Sequence, residues 1–120
     1  MPVRSVMFSS DNNTLFTSSD DGKVISWDVQ PGGGMKATAT YSGHESWVMS
    51  VSTSPVRPGT FCSGGADGSV RVWDCASSSK TPVATFRDNT GQVWSTAFND
   101  QGTEIASVCD AATLVVYSLA

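Results

Sequence analysis

The sequence predicts an all-β chain made of three tandem copies of one small antiparallel sheet. Residues 20–28 read DDGKVISWD and residues 66–74 read ADGSVRVWD, the same nine-residue strip 46 positions apart, and a worn copy, DAATLVVYS, follows at 110–118. Short runs rich in Val, Ile, Thr and aromatics alternate with turn residues throughout, and no segment carries a helical period. Self-similarity at a fixed spacing decides architecture before any local propensity does.

Aligning the copies gives the elements in order. First strands are expected at 3–9, 47–54 and 93–99, with Val3, Val48 and Val93 in register. Second strands follow at 14–19, 60–65 and 104–109, and third strands at 23–28, 69–74 and 113–118. Fourth strands are expected at 35–41 and 81–86; the last copy has none before Ala120. Between them stand turn signals such as Ser10-Asp11-Asn12-Asn13, Pro31-Gly32-Gly33-Gly34, Pro58-Gly59 and Gln101-Gly102. Asp21-Gly22 and Asp67-Gly68 suit tight hairpins, because glycine tolerates positive φ. The units therefore run 1–41, 42–86 and 87–120, the last one partial.

Composition narrows the function classes. Charged residues are 15% and hydrophobic ones 39% of 120, which fits a folded domain and excludes a disordered tail. No apolar run has membrane-spanning or signal-peptide length, so the expectation is an intracellular protein with no membrane partner. Seven Lys and Arg are scattered among eleven Asp and Glu for a net charge of −4. Direct nucleic-acid binding needs clustered positive charge and is not expected. Cys62, Cys75 and Cys109 are odd in number and lack C-x-x-C spacing, and there is one histidine. They read as buried thiols rather than a metal site or a disulfide framework, so no metal and no cofactor is expected.

A unit of about 45 residues with a Gly-His start and a Trp-Asp end resembles the WD-repeat blade of a β-propeller. The second copy carries Gly43-His44, Ser63, Asp67-Gly68 and Trp73-Asp74. The resemblance implies a structural hydrogen-bond chain of His44, Ser63, Asp67 and Trp73. It implies Thr17, Asp21 and Trp27 as the matching set in the first copy. The third copy departs from the pattern, with Asn89, Ser107, Asp110 and Tyr117 at the corresponding places. The predicted fold is a propeller fragment of two four-stranded blades and a three-stranded last blade. Propellers close with about four to eight blades. Three blades leave two bare flanks, so the expectation is a C-terminal part of a longer chain whose N-terminal blades close the ring. A chain that closes a ring by oligomerising is the alternative.

The stretches MPVRSVMFSSD, SSDDGKVISWD, YSGHESWVMSVSTSP and DNTGQVWSTAF resemble the last three blades of Ski8-type WD-repeat proteins. That resemblance implies a non-catalytic scaffold, not an enzyme. Its implied partners are the tetratricopeptide scaffold and RNA helicase of a SKI-type mRNA-decay complex and subunits of the RNA polymerase II-associated PAF complex. Its implied location is nucleus and cytoplasm. The alternative is another WD scaffold, such as a ubiquitin-ligase substrate receptor or a histone-binding propeller.

Partner-binding residues are sought on the face bearing the turns into each first strand and the hairpins between second and third strands. Arg4, Asp20, Trp47, Met49, Gln92 and Trp94 fall there, a Trp, Met and Arg composition typical of interaction hot spots. Trp47 and Trp94 have a second reading as blade-packing residues. His44, Ser63 and Asp67 are also the residue types of a hydrolase triad, but their offsets from Asp-Gly and Trp explain them as struts. Gly32-Gly33-Gly34 reads as a hairpin loop without the Lys of a phosphate loop, Asn12-Asn13-Thr14 as a turn, and Ser77-Ser78-Ser79-Lys80 as a flexible loop open to phosphorylation.

Overall fold

A computed structural model describes residues 2–30, 32–76, 80–87, 91–110 and 113–119. Pro31, Ser77–Ser79 and Asn89, invoked above, lie outside the described residues. Eleven strands form three antiparallel sheets. The first sheet is β1 (Val3–Phe8), β2 (Thr14–Ser19), β3 (Lys23–Val29) and β4 (Met35–Ser42), paired in sequence order. The second is β5 (Val48–Thr53), β6 (Thr60–Gly65), β7 (Val70–Asp74) and β8 (Ala84–Phe86). The third is β9 (Val93–Phe98), β10 (Glu104–Cys109) and β11 (Thr113–Ser118).

The β2–β3 and β6–β7 hairpins turn as their Asp-Gly pairs require. Gly22 and Gly68 sit at φ +83° and +82°. The Asp21 and Asp67 Oδ1 atoms each accept the backbone N–H two residues on, from Lys23 and Ser69, at 3.0 Å. The expected fourth strand at 81–86 is shorter in the fold, because Pro82 has no N–H to give the ladder. The chain instead joins β7 through Val83 N–H to Val72 O at 2.7 Å.

Period-two alternation gives each sheet two faces, and the sheets stack in one direction only. Phe16, Val24 and Tyr41 of the first sheet pack on Val51, Phe61 and Trp73 of the second. Phe16 and Phe61 stack at 4.3 Å, and Tyr41 meets Phe61 edge-on at 4.9 Å. The other face of the second sheet, with Cys62, Val70 and Val72, packs on Ile105 and Tyr117 of the third, where Phe86 stacks on Tyr117 at 4.3 Å. Gly64 sets the spacing of this second junction. A Cβ there would lie 2.6 Å from Val93 Cγ1 and 2.9 Å from Thr96 Cγ2.

The first strands β1, β5 and β9 lie side by side. Polar contacts tie them: Thr53 Oγ1 donates to Phe8 O at 2.7 Å, and Ser50 Oγ accepts the Thr96 N–H at 3.2 Å. Cys62 and Cys109 are buried, whereas Cys75 is only half-buried and its sulfur accepts the Tyr41 hydroxyl at 3.2 Å. Burial pushes the Cys62 thiol up to about 12, which makes it a packing group. Among the described residues no helix is long and apolar enough to cross a membrane.

Candidate functional site

Two constellations account for the singled-out residues: a buried polar chain in the second sheet, and a rim where the three first strands begin. In the buried chain, Trp73 Nε1–H donates to Ser63 Oγ at 2.9 Å, and Ser63 Oγ lies 2.6 Å from His44 Nε2. The His44 Nδ1 atom is 3.1 Å from Asp67 Oδ2. Asp67 also accepts the Glu45 N–H at 2.9 Å and both the N–H and the hydroxyl of Ser69. Burial by itself would raise the Asp67 carboxyl; the His44 contact and the Glu45 and Ser69 N–H groups outweigh it and hold it well below the usual carboxylate range. Ser63 is fully buried and its oxygen already takes the indole N–H, so a substrate cannot reach it as a nucleophile.

Three contributors to this chain escape the sequence pattern. Buried Arg71 reaches Asp67 Oδ2 at 3.7 Å and donates from Nε to Ser69 Oγ at 3.2 Å. Ser69 itself links the two. Gly65 makes room for the imidazole: a Cβ there would fall 2.5 Å from His44 Nδ1. Glycine and serine next to Asp-Gly look like ordinary hairpin residues, so only the fold reveals their role.

The first sheet reproduces part of the arrangement. Trp27 Nε1–H donates to Thr17 Oγ1 at 3.0 Å. Asp21 does not join them and instead accepts from the Ser19 hydroxyl and the Lys23 N–H. The expectation that groups Asp21 with Thr17 and Trp27 is corrected here: no imidazole stands between the carboxylate and the threonine, so Asp21 closes its own turn. In the third sheet Asp110 turns to the rim, accepting Trp94 Nε1–H at 2.6 Å and Gln92 N–H at 3.0 Å.

The rim repeats in all three sheets. The Pro2, Trp47 and Gln92 carbonyls accept the N–H groups of Asp20, Ala66 and Asp110 at 3.1, 2.7 and 3.0 Å. Just inside, the pairing register slips once in each sheet. Val3 pairs Ser19 but Ser5 pairs Ser18; Val48 pairs Gly65 but Ser50 pairs Gly64; Val93 pairs Cys109 but Ser95 pairs Val108. The residues left over are Arg4, Met49 and Trp94. A β-bulge re-aims the unpaired side chain and sharpens the local twist. Arg4 forks onto Asp20 through Nε and Nη2, at 2.5 and 2.8 Å, and its guanidinium lies over the Trp47 ring at 5.2 Å. Trp47 and Trp94 keep 45% and 51% of their surface exposed, so neither is spent on packing between sheets. Met49 and Gln92 are half-buried. Among the described residues no cluster of three His, Cys, Asp or Glu could hold a metal ion.

Family comparison places this geometry. The model of the WD domain, G-beta repeat matches residues 1–28, 35–74 and 80–118. The chain belongs to this WD-repeat family. Its relatives include the guanine nucleotide-binding protein subunit beta of Arabidopsis thaliana, 35% identical over 109 residues, which covers 88% of this chain and 28% of that protein. The ribosome biogenesis protein WDR12 homolog of Drosophila mojavensis is 35% identical over 80 residues, covering 67% of this chain and 18% of the relative. The pre-rRNA-processing protein crb3/ipi3 of Schizosaccharomyces pombe is 28% identical over 86 residues, covering 61% and 19%. This WD-repeat chain thus spans less than a third of the length of these relatives.

Proposed function

We propose that this WD-repeat chain is a non-catalytic protein-interaction scaffold that presents Arg4, Asp20, Trp47, Met49, Gln92 and Trp94 to a protein partner. The observation that carries the reading is the bulge repeated at one position of three neighbouring strands, which turns Arg4, Met49 and Trp94 out of the pleat beside the exposed Trp47. Exposed indoles next to a fixed guanidinium suit a protein surface, since rigid aromatic area is ordered at small entropic cost. We take residues 1–41, 42–86 and 87–120 as the blades that hold this rim. His44, Ser63, Asp67 and Trp73, with Thr17 and Trp27, serve as internal struts beneath it. The buried position of Ser63 favours this over hydrolytic chemistry.

The finer reading is a Ski8-type subunit, nuclear and cytoplasmic, serving a SKI-type or PAF complex. The stretches MPVRS, SGHESWV and QVWS, which lie outside the generic D-G-x-V-x-x-W-D strip, support it. A second reading, a nuclear scaffold in ribosome biogenesis, is supported by the names of the WDR12 and crb3/ipi3 relatives. Immunoprecipitation of the native protein with mass spectrometry separates them. A tetratricopeptide scaffold with an RNA helicase, or PAF subunits, supports the first; ribosome-biogenesis factors assign the second. In the same assay Trp47→Ala is expected to lose the partner while circular dichroism stays unchanged. Retained binding by a folded Trp47→Ala protein removes the rim from the account.

A further inference from the structure

Two of the rim residues are already spent on each other. Arg4 gives its Nε–H and an Nη2–H to the two carboxylate oxygens of Asp20, one each, at 2.5 and 2.8 Å. Under that fork the Asp20 side chain keeps 8% of its surface exposed, and Arg4 keeps 37%. The guanidinium lies over the Trp47 ring at 5.2 Å, so the pair reaches from the first sheet to the second. The other two sheets are built differently. The hydrogen bonds to the Pro2, Trp47 and Gln92 carbonyls make Asp20, Ala66 and Asp110 equivalent positions. In the third sheet the bulge residue Trp94 donates Nε1–H to Asp110 at 2.6 Å, within its own sheet. In the second sheet Ala66 stands where the others have Asp, so Met49 has no carboxylate across from it. Trp47, Met49 and Ala66 therefore make an apolar spot, with a closed ion pair on the first-sheet side and a tied indole on the third.

We propose that Arg4 is a positioning residue: anchored by Asp20, it holds the Trp47 indole ready for a protein partner whose apolar side chain lands on Trp47, Met49 and Ala66. This rests on the rim reading above and assigns roles within it. An exposed indole samples several rotamers, and binding has to fix one of them. Ordering the ring beforehand removes that entropic cost from association. A guanidinium suits the task, because its edge forks onto a carboxylate while the cation attracts an aromatic ring; a lysine ammonium is a point charge without a fork. Asp20 neutralises the Arg4 charge and is itself covered, so the spot offers no open cation to an acidic partner group. Charge complementarity thus favours an uncharged apolar contact.

Fluorine NMR of the fluorotryptophan-labelled protein tests this. The Trp47 signal is the one missing from Trp47→Phe. Asp20→Asn leaves Arg4 in place but removes its anchor, so it is expected to move the Trp47 signal toward that of free fluorotryptophan. Arg4→Ala and Arg4→Lys should do the same, while the Trp27 and Trp73 signals stay where they are. A Trp47 signal that neither Asp20→Asn nor Arg4→Ala moves overturns the proposal. Shifts of Trp27 and Trp73 alongside it make Arg4 a part of the fold and overturn it too. No partner takes part in this measurement, so its failure is distinct from a failure of the rim reading. Affinity for the protein identified by immunoprecipitation gives the second readout. Arg4→Ala is expected to weaken it roughly three- to fivefold. In a Trp47→Leu background, which has no ring to hold, Arg4→Ala should cost nothing further. A loss of the same size there means that Arg4 touches the partner itself, and overturns the proposal.

Discussion

Asp67 is the residue on which the most contacts converge. It holds an imidazole, two backbone N–H groups and a hydroxyl, and Arg71 stands close by. Asp67→Ala strips these donors of their acceptor in a buried setting and is expected to cost about 3 kcal/mol in chemical denaturation. The same contacts give a pH dependence of definite sign. The folded-state pKa is depressed, so the stabilisation is fully present above the unfolded carboxylate value of about 4 and is lost as pH falls through the lower folded value. Titration of stability from pH 5 downward should show a fall that Asp67→Asn makes shallower, the remainder coming from Asp11, Asp20, Asp21 and Asp110, which hydrogen bonds also hold below the usual carboxylate range. Ser18 is the opposite case. Its hydroxyl is fully buried and makes no hydrogen bond, so Ser18→Ala is expected to raise stability by about 1 kcal/mol in the same assay.

At the scale of the element, the packed junction between sheets is the sensitive unit. Gly64 on β6 lies against Val93 and Thr96 of the next sheet, and both neighbours are branched at Cβ and held within β9. Neither swings aside like a flexible chain end, so Gly64→Ala forces the junction apart. The expected loss is about 1–3 kcal/mol, read as a lowered Tm. Ser18 occupies the corresponding place in the first sheet, pairing Ser5 as Gly64 pairs Ser50. The bulges on β1, β5 and β9 work at this scale too. Three strands with the same irregularity place three unlike side chains, an Arg, a Met and a Trp, at one level of the rim. Diversity of contact is thereby obtained without altering the hydrogen-bonded frame.

For the whole described chain, the two junctions between sheets repeat one pattern. Each sheet is apolar on both sides, so an isolated sheet would leave both sides in water, and stacking is what stabilises the set. Val6 and Phe8 on the first sheet and Leu114 and Val116 on the third are exposed on faces that pack on no neighbouring sheet among the described residues. The rim around Trp47 lies where the first strands begin, apart from the faces through which the sheets pack on one another.

The repeat itself was legible in the sequence because strand, turn and spacing signals all recur together, and each reports a local constraint: alternation for a pleated strand, Asp-Gly for a positive-φ turn. Those constraints determined three antiparallel sheets and their strand order, whereas the grouping of Trp73 with Ser63 and His44 was implied by the WD-repeat resemblance. What the tertiary structure alone decided depends on groups brought together from separate strands. Asp21 and Asp67 are alike in sequence and close the same turn, yet only Asp67 has an imidazole above it, so only Asp67 also joins a buried chain. Gly65 matters because His44 folds over it from 21 positions away, and Arg71 because Ser69 and Asp67 stand beneath it. Whether Trp47 and Trp94 pack or face solvent was equally open in the sequence. A one-residue slip in β-pairing sends a side chain to the other side, and that slip is fixed by the neighbouring strand rather than by the residue itself.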